Sequence, residues 1–165
     1  MLDPLRNSEL FKGMDMVVQA RLFAIANRQL LPKGDYLFLL GDHADHLYVL
    51  VEGKVEICFP LSLGGTVKDI AVETIEPGDT LGVSALVKPY KFTLSARAAE
   101  RSELASFPRT ELLKVIEGNP EIGCVFMRRL TEILGKRFLM MEALWGRELQ
   151  RSLSAGKSLP SEQSA

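Results

Sequence analysis

From residue 29 to residue 107 the chain is a run of short β-prone stretches cut at close intervals by glycine-bearing turns, and this feature limits the fold more than any other. The turns are Lys33-Gly34-Asp35, Gly41-Asp42, Glu52-Gly53-Lys54, Gly64-Gly65 and Pro77-Gly78-Asp79. Between them lie apolar and β-branched segments at 36–39, 47–51, 55–59, 67–75, 93–98 and 103–107. A parallel sheet needs a helix between successive strands, and there is no room for one here. Strands this short and evenly spaced predict a sandwich or jelly roll. Gly64-Gly65 sits where a hairpin tip belongs, and Gly53 where a tight reversal needs a positive φ.

Helical spacing flanks the β region. Met14, Val17, Val18, Leu22 and Ile25 make a short amphipathic helix over 14–26. After Pro108, Leu112, Leu113, Val115 and Ile116 predict a second, which Gly118 caps. Asn119-Pro120 then opens a long third helix to about Gln150, with Ile122, Phe126, Leu130, Ile133, Leu134, Phe138, Met141, Leu144 and Trp145 on its apolar stripe. No later segment is left to cover the distal part of that stripe. Burying each large apolar side chain is worth about 1.5–3 kcal/mol, so the expected partner is the same helix of a second copy. Folding back on its own barrel is the alternative. The organisation predicted is an N-terminal arm (1–13), a jelly roll with flanking helices (14–118), a long C-terminal dimerisation helix (119–152) and a Ser-rich disordered tail (153–165).

Of the 165 residues, 47% are hydrophobic and 25% charged, which suits one globular domain with a real core. The formal net charge of -1 gives no overall attraction to nucleic acid or anionic lipid. No apolar run is long enough to span a bilayer, and the N-terminus has no secretory core, so a cytoplasmic, membrane-free protein is expected. Cys58 and Cys124 read as reduced core residues.

The order of these signals resembles the cyclic-nucleotide-binding domain of the cyclic AMP receptor protein superfamily. The resemblance rests on Leu10-Phe11-Lys12-Gly13-Met14, Pro32-Lys33-Gly34-Asp35, Gly41-Asp42, Leu47-Tyr48-Val49-Leu50, Glu52-Gly53-Lys54-Val55, Pro77-Gly78-Asp79, Asn119-Pro120 and Arg128-Arg129-Leu130. It covers roughly residues 10–149. It implies a mainly β fold with flanking helices: a double-stranded β-helix (jelly roll) barrel followed by the long helix. It also implies a regulatory, non-enzymatic sensor that holds a cyclic nucleotide or another small anion, with no further cofactor. The phosphate-binding cassette would span 78–98, and its ligand-facing residues would be Leu81, Gly82, Val83, Ser84, Ala85, Lys91, Phe92 and Thr93, with Arg137 and Phe138 of the long helix facing the base.

The sequence departs from the pattern at both polar anchors. The ribose-binding glutamate should follow Gly82, and that place is held by Val83. The phosphate arginine should fall at about Phe92, beside Thr93. Leaving a buried anion without its charged partner costs roughly 3–5 kcal/mol, and a helix N-terminus returns only about 0.3–2 kcal/mol. Lys91, one place away, could supply charge if the loop shifts, although lysine lacks arginine's bidentate fork. Cyclic AMP and cyclic GMP are therefore doubtful ligands. The second reading is a dimerisation and protein-interaction scaffold with a retired pocket.

Other chemistry is weakly supported. His43 and His46 raise a metal-dependent cupin as an outside alternative, but the chain has no third histidine. It also has no Gly-x-Ser-x-Gly elbow and no Walker-type lysine. The basic residues of the long helix are interrupted by Glu132, Glu142 and Glu148, and only the short tail follows, so direct DNA binding is not expected.

Overall fold

In a computed structural model, which describes residues 2–156, the chain forms eight strands between two pairs of helices. The order is α1 (Leu2–Arg6), α2 (Met16–Phe23), β1 (Asn27–Leu31), β2 (Tyr36–Phe38), β3 (His46–Glu52), β4 (Val55–Leu63), β5 (Thr66–Ile75), β6 (Thr80–Leu81), a 3-10 turn (Val83–Leu86), β7 (Ser95–Ala98), β8 (Ser102–Pro108), α3 (Arg109–Glu117) and α4 (Pro120–Gly156). The strands form two antiparallel four-stranded sheets ordered β1-β8-β3-β6 and β2-β7-β4-β5. Strands 1 and 8, 2 and 7, 3 and 6, and 4 and 5 pair, as in one long hairpin rolled on itself. This is a jelly roll. The two sheets remain separate and do not close into one hydrogen-bonded ring, because β1, β6, β2 and β5 each end a sheet.

The expected β-region turns hold: Gly34, Gly41, Gly53, Gly64, Gly65 and Gly78 all have positive φ, while Gly118 ends α3 in the right-handed region. Gly53 shows why. It sits at φ +93°, and a Cβ there would lie 2.5 Å from the Arg101 carbonyl oxygen and from Ser102 Oγ. The β3–β4 reversal needs both the left-handed backbone and the missing side chain.

The core has two layers. Between the sheets, Leu31, Tyr48, Leu50, Leu81 and Leu104 meet Phe38, Val55, Ile57, Ile75, Ala96 and Ala98. On the other side of the first sheet, Leu47, Val49 and Phe107 are also fully buried, as are Leu5, Leu10, Phe11, Leu22, Leu112 and Phe126. Phe11 packs against Phe107 with ring centroids 5.4 Å apart and edge-on to Phe23 at 5.1 Å. Strand β3 is thus buried on both faces, which explains its unbroken apolar run.

The N-terminal arm belongs to the core. The Glu9 amide donates to the Gly78 carbonyl at 3.0 Å, and Glu9 Oε1 accepts from the Thr80 amide at 2.8 Å. Its apolar residues, Leu5, Leu10 and Phe11, show no periodicity in sequence, and the tertiary fold alone brings them inside.

Two compact units divide at Arg129 and Leu130. The second carries most of α4, which runs past the expected end at 152 to Gly156. The remainder of the expected tail, 157–165, lies outside the described residues. Among the described residues of this unit, Leu134, Phe138, Met141, Trp145, Leu149 and Leu153 are exposed.

Candidate functional site

The cassette begins where the β5–β6 turn enters the first sheet. Gly78 and Asp79 are fixed to Leu50 by two backbone bonds, of 2.8 and 3.0 Å. The Asp79 carboxylate accepts from the Glu76 amide at 2.9 Å and closes the turn. Strand β6 pairs Thr80 with Val49 and Leu81 with Tyr48. At Gly82 the chain turns left-handed (φ +79°), and a Cβ would come within 2.9 Å of the His46 carbonyl oxygen and of the Tyr48 ring. Only glycine passes this corner. The 3-10 turn then begins, with the Ala85 amide donating to the Gly82 carbonyl at 3.0 Å.

The structure sorts the expected ligand-facing residues into two groups. Leu81, Ala85 and Phe92 are buried members of the inter-sheet core. Gly82, Val83 and Ser84 are half-buried, while Lys91 and Thr93 are exposed. Alternation accounts for the second split: Lys91 bridges to His43 on the outside, and the next side chain, Phe92, turns in. Arg137 and Phe138 lie in the second unit, where Phe138 is exposed and Arg137 half-buried.

What Phe92 meets inside defines the site. Its ring stacks on Phe38 with centroids 3.7 Å apart and planes only 7° from parallel. Phe38 in turn faces Tyr48 at 6.1 Å. Burial pushes the Tyr48 hydroxyl up to about 12, with the Asp45 charge adding to the shift. The interior beside the cassette is therefore an aromatic layer, and neither Lys91 nor any other cation of the cassette turns into it.

Outside that layer the cassette passes through Tyr90, a non-glycine residue in the left-handed region (φ +59°), which costs roughly 1–2 kcal/mol. Sequence reasoning missed this residue and its partner. Arg109 lies 4.5 Å from the Tyr90 ring centroid in a cation–π contact and 3.4 Å from Asp45 Oδ1. The two are 19 positions apart in a chain with many charged residues, so only the fold pairs them.

Nucleophile and metal chemistry have little to work with. Cys58 is buried and burial pushes its thiol up, away from the reactive thiolate. Cys124, expected in the core, is instead exposed, because its place on α4 falls off the face that buries Ile122 and Phe126. His43 pairs with Asp45 at 3.1 Å. Among the described residues no three histidine, cysteine or acidic side chains converge as metal ligands.

The family follows from a jelly roll, a glycine-cornered cassette and a long helix in this order. A family model for the cyclic nucleotide-binding domain matches residues 28–119, and the chain belongs to that family. Among its relatives is the cyclic AMP receptor protein of Thermus thermophilus, 30% identical over 132 residues that make up 78% of this chain and 60% of that one. The chain thus spans less than two thirds of that relative's length. The crystal structure of a Thermus thermophilus catabolite activator protein aligns at TM-score 0.68 and 28% identity, over 87% of this chain and 63% of that one. A Geobacter metallireducens structure described as a cyclic nucleotide-binding protein aligns at TM-score 0.69 and 28% identity, over 84% of this chain and 99% of the other. No helix among the described residues is long and apolar enough to cross a membrane.

Proposed function

We propose that this chain is a non-enzymatic regulatory sensor domain whose jelly roll does not hold a cyclic nucleotide in the phosphate-anchored pose. The observation that carries the reading is the Phe38–Phe92 stack, at 3.7 Å, at the place where the family's phosphate arginine is expected. A phosphate put there would lose its water and gain no cation, since Lys91 points outward. The penalty for such an uncompensated charge is about 3–5 kcal/mol, or two to three and a half decades of affinity. A guest that suits this interior is planar and largely uncharged, and stacks on or displaces the Phe92 ring. The signal leaves through α4, whose exposed Leu134, Phe138, Met141 and Trp145 lie on one helical face and pair two copies into a homodimer. The cytoplasm suits the two cysteines, both of them free.

The same packing favours a second reading, a dimerisation and protein-interaction scaffold in which the aromatic layer is simply a solid core. Thermal denaturation with cyclic AMP, cyclic GMP and a panel of planar uncharged compounds separates the possibilities. A ligand at 100 times its dissociation constant adds about 2.7 kcal/mol of stability. The sensor reading expects that gain from an uncharged planar compound and none from either cyclic nucleotide. Saturable stabilisation by cyclic AMP or cyclic GMP overturns the proposal, and silence across the whole panel from a dimeric protein selects the scaffold.

A further inference from the structure

We infer that Arg109 couples the cassette to helix α3, so that movement of Phe92 in the core is felt in that helix. Three segments meet at this side chain. Arg109 is the first residue of α3, and its backbone amide donates to the Asp45 carbonyl at 2.7 Å. Its guanidinium donates to the Ala44 carbonyl at 3.3 Å, pairs with Asp45 Oδ1 at 3.4 Å and covers the Tyr90 ring. The His43 ring shares the same Asp45 oxygen at 3.1 Å.

The 41–45 loop is also the outer anchor of cassette residues 90–92. The Ala44 amide donates to the Tyr90 carbonyl at 2.8 Å, the Phe92 amide to the Asp42 carbonyl at 3.0 Å, and the Gly41 amide to the Phe92 carbonyl at 2.8 Å. Phe92 therefore has no independent way out of the core. To move, it must break two backbone bonds or take the loop with it, and the loop is tied to α3 through Arg109. The left-handed Tyr90 presents its ring to the guanidinium in a backbone conformation that a tyrosine does not favour, so this corner is held by its contacts. Arginine is required: a lysine could pair with Asp45, but it could not fork to Ala44 and lie flat on Tyr90 together. The coupling stands whether or not any ligand enters the jelly roll, so its test is separate from that of the proposed function.

Backbone hydrogen exchange on the full chain reads the coupling through a double-mutant cycle. Phe92→Leu loosens the stack. In an otherwise unchanged protein it should speed exchange across α3 (residues 110–117) by about 5-fold or more, the low end of typical coupling between sites. In the Arg109→Met background the same substitution should speed α3 by less than about 2-fold. Arg109→Lys should resemble Arg109→Met, and Tyr90→Phe, which keeps the ring, should resemble the unchanged protein. The β4–β5 hairpin serves as reference, since a general loss of stability would speed it too. Equal effects of Phe92→Leu with and without Arg109, or acceleration spread evenly to the hairpin, overturn the inference. Should Phe92→Leu fail to fold, Phe92→Met, whose flexible side chain fills an irregular gap more readily, takes its place in the cycle, and the same two results support or overturn the coupling.

Discussion

At the scale of single residues, the interior beside the cassette is held by dispersion and burial, and its energetics can be measured directly. Phe92 is buried and stacked, so Phe92→Ala should cost about 3–5 kcal/mol in denaturant unfolding, as truncated core aromatics do. An exposed loop phenylalanine would cost a small fraction of that. Thr80 is the opposite case. Its hydroxyl is fully buried with no hydrogen-bond partner among the described residues. Thr80→Val keeps the shape and removes the unsatisfied oxygen, so it should raise stability by roughly 1 kcal/mol or more. Tyr48 adds a pH dependence. Its folded-state value is raised to about 12 from an ordinary 10, so folding favours the neutral phenol. The stability from this group is complete below pH 10 and is lost as pH rises from 10 through 12. Denaturation midpoints followed across that range should fall less steeply in Tyr48→Phe, while Tyr36, also raised by its bond to Asp69, keeps part of the slope.

Elements add constraints that no single side chain explains. The β3–β4 reversal depends on Gly53, and Gly53→Ala should destabilise by about 1–3 kcal/mol from backbone conformation alone, with the 2.5 Å approach to Arg101 adding to it. Gly64→Ala, at a hairpin tip with open space around its Cβ position, should cost less. Comparison of the two unfolding curves tests whether contact as well as φ sets the penalty. Much of this level was legible in the chain: each turn glycine signalled its own corner, and the β-branched runs between them and the helical spacing beside them found most strands and helices. Strand β1 and the two-residue β6 were not marked as segments. Asn27–Leu31 mixes polar and apolar residues without clear alternation, and Thr80–Leu81 is a strand only because Tyr48 and Val49 lie opposite. The expected place of the cassette came from the family resemblance that these glycines help to carry. The inward turn of Phe92 and outward turn of Lys91 depended on the His43 bridge and the Tyr90 corner.

For the whole molecule the outstanding energetic fact is the distal half of α4. Leu134, Phe138, Met141 and Trp145 are 40% to 70% exposed in the single chain. Their burial against a second copy would contribute about 1.5–3 kcal/mol each. Light scattering at micromolar concentration should therefore give twice the chain mass, and Phe138→Glu with Trp145→Glu should return it to that of one chain while leaving the β-sheet circular dichroism unchanged. A single-chain mass for the unaltered protein would remove the dimer from the proposed function.

Local pattern in the chain was enough for a sandwich or jelly roll and the helix that follows it, because glycine turns, β-branched runs and helical period are properties written in consecutive residues. Through the family resemblance it also gave an expected cassette at 78–98, with Val83 and Phe92 where that resemblance expects polar anchors. Tertiary structure alone decided that the sheets stay open, that the N-terminal arm enters the core, that Phe92 completes an aromatic layer and that Arg109 meets Tyr90. Each of these depends on groups distant in the chain approaching within a few ångströms, and separations in space are set by packing, which no local pattern records.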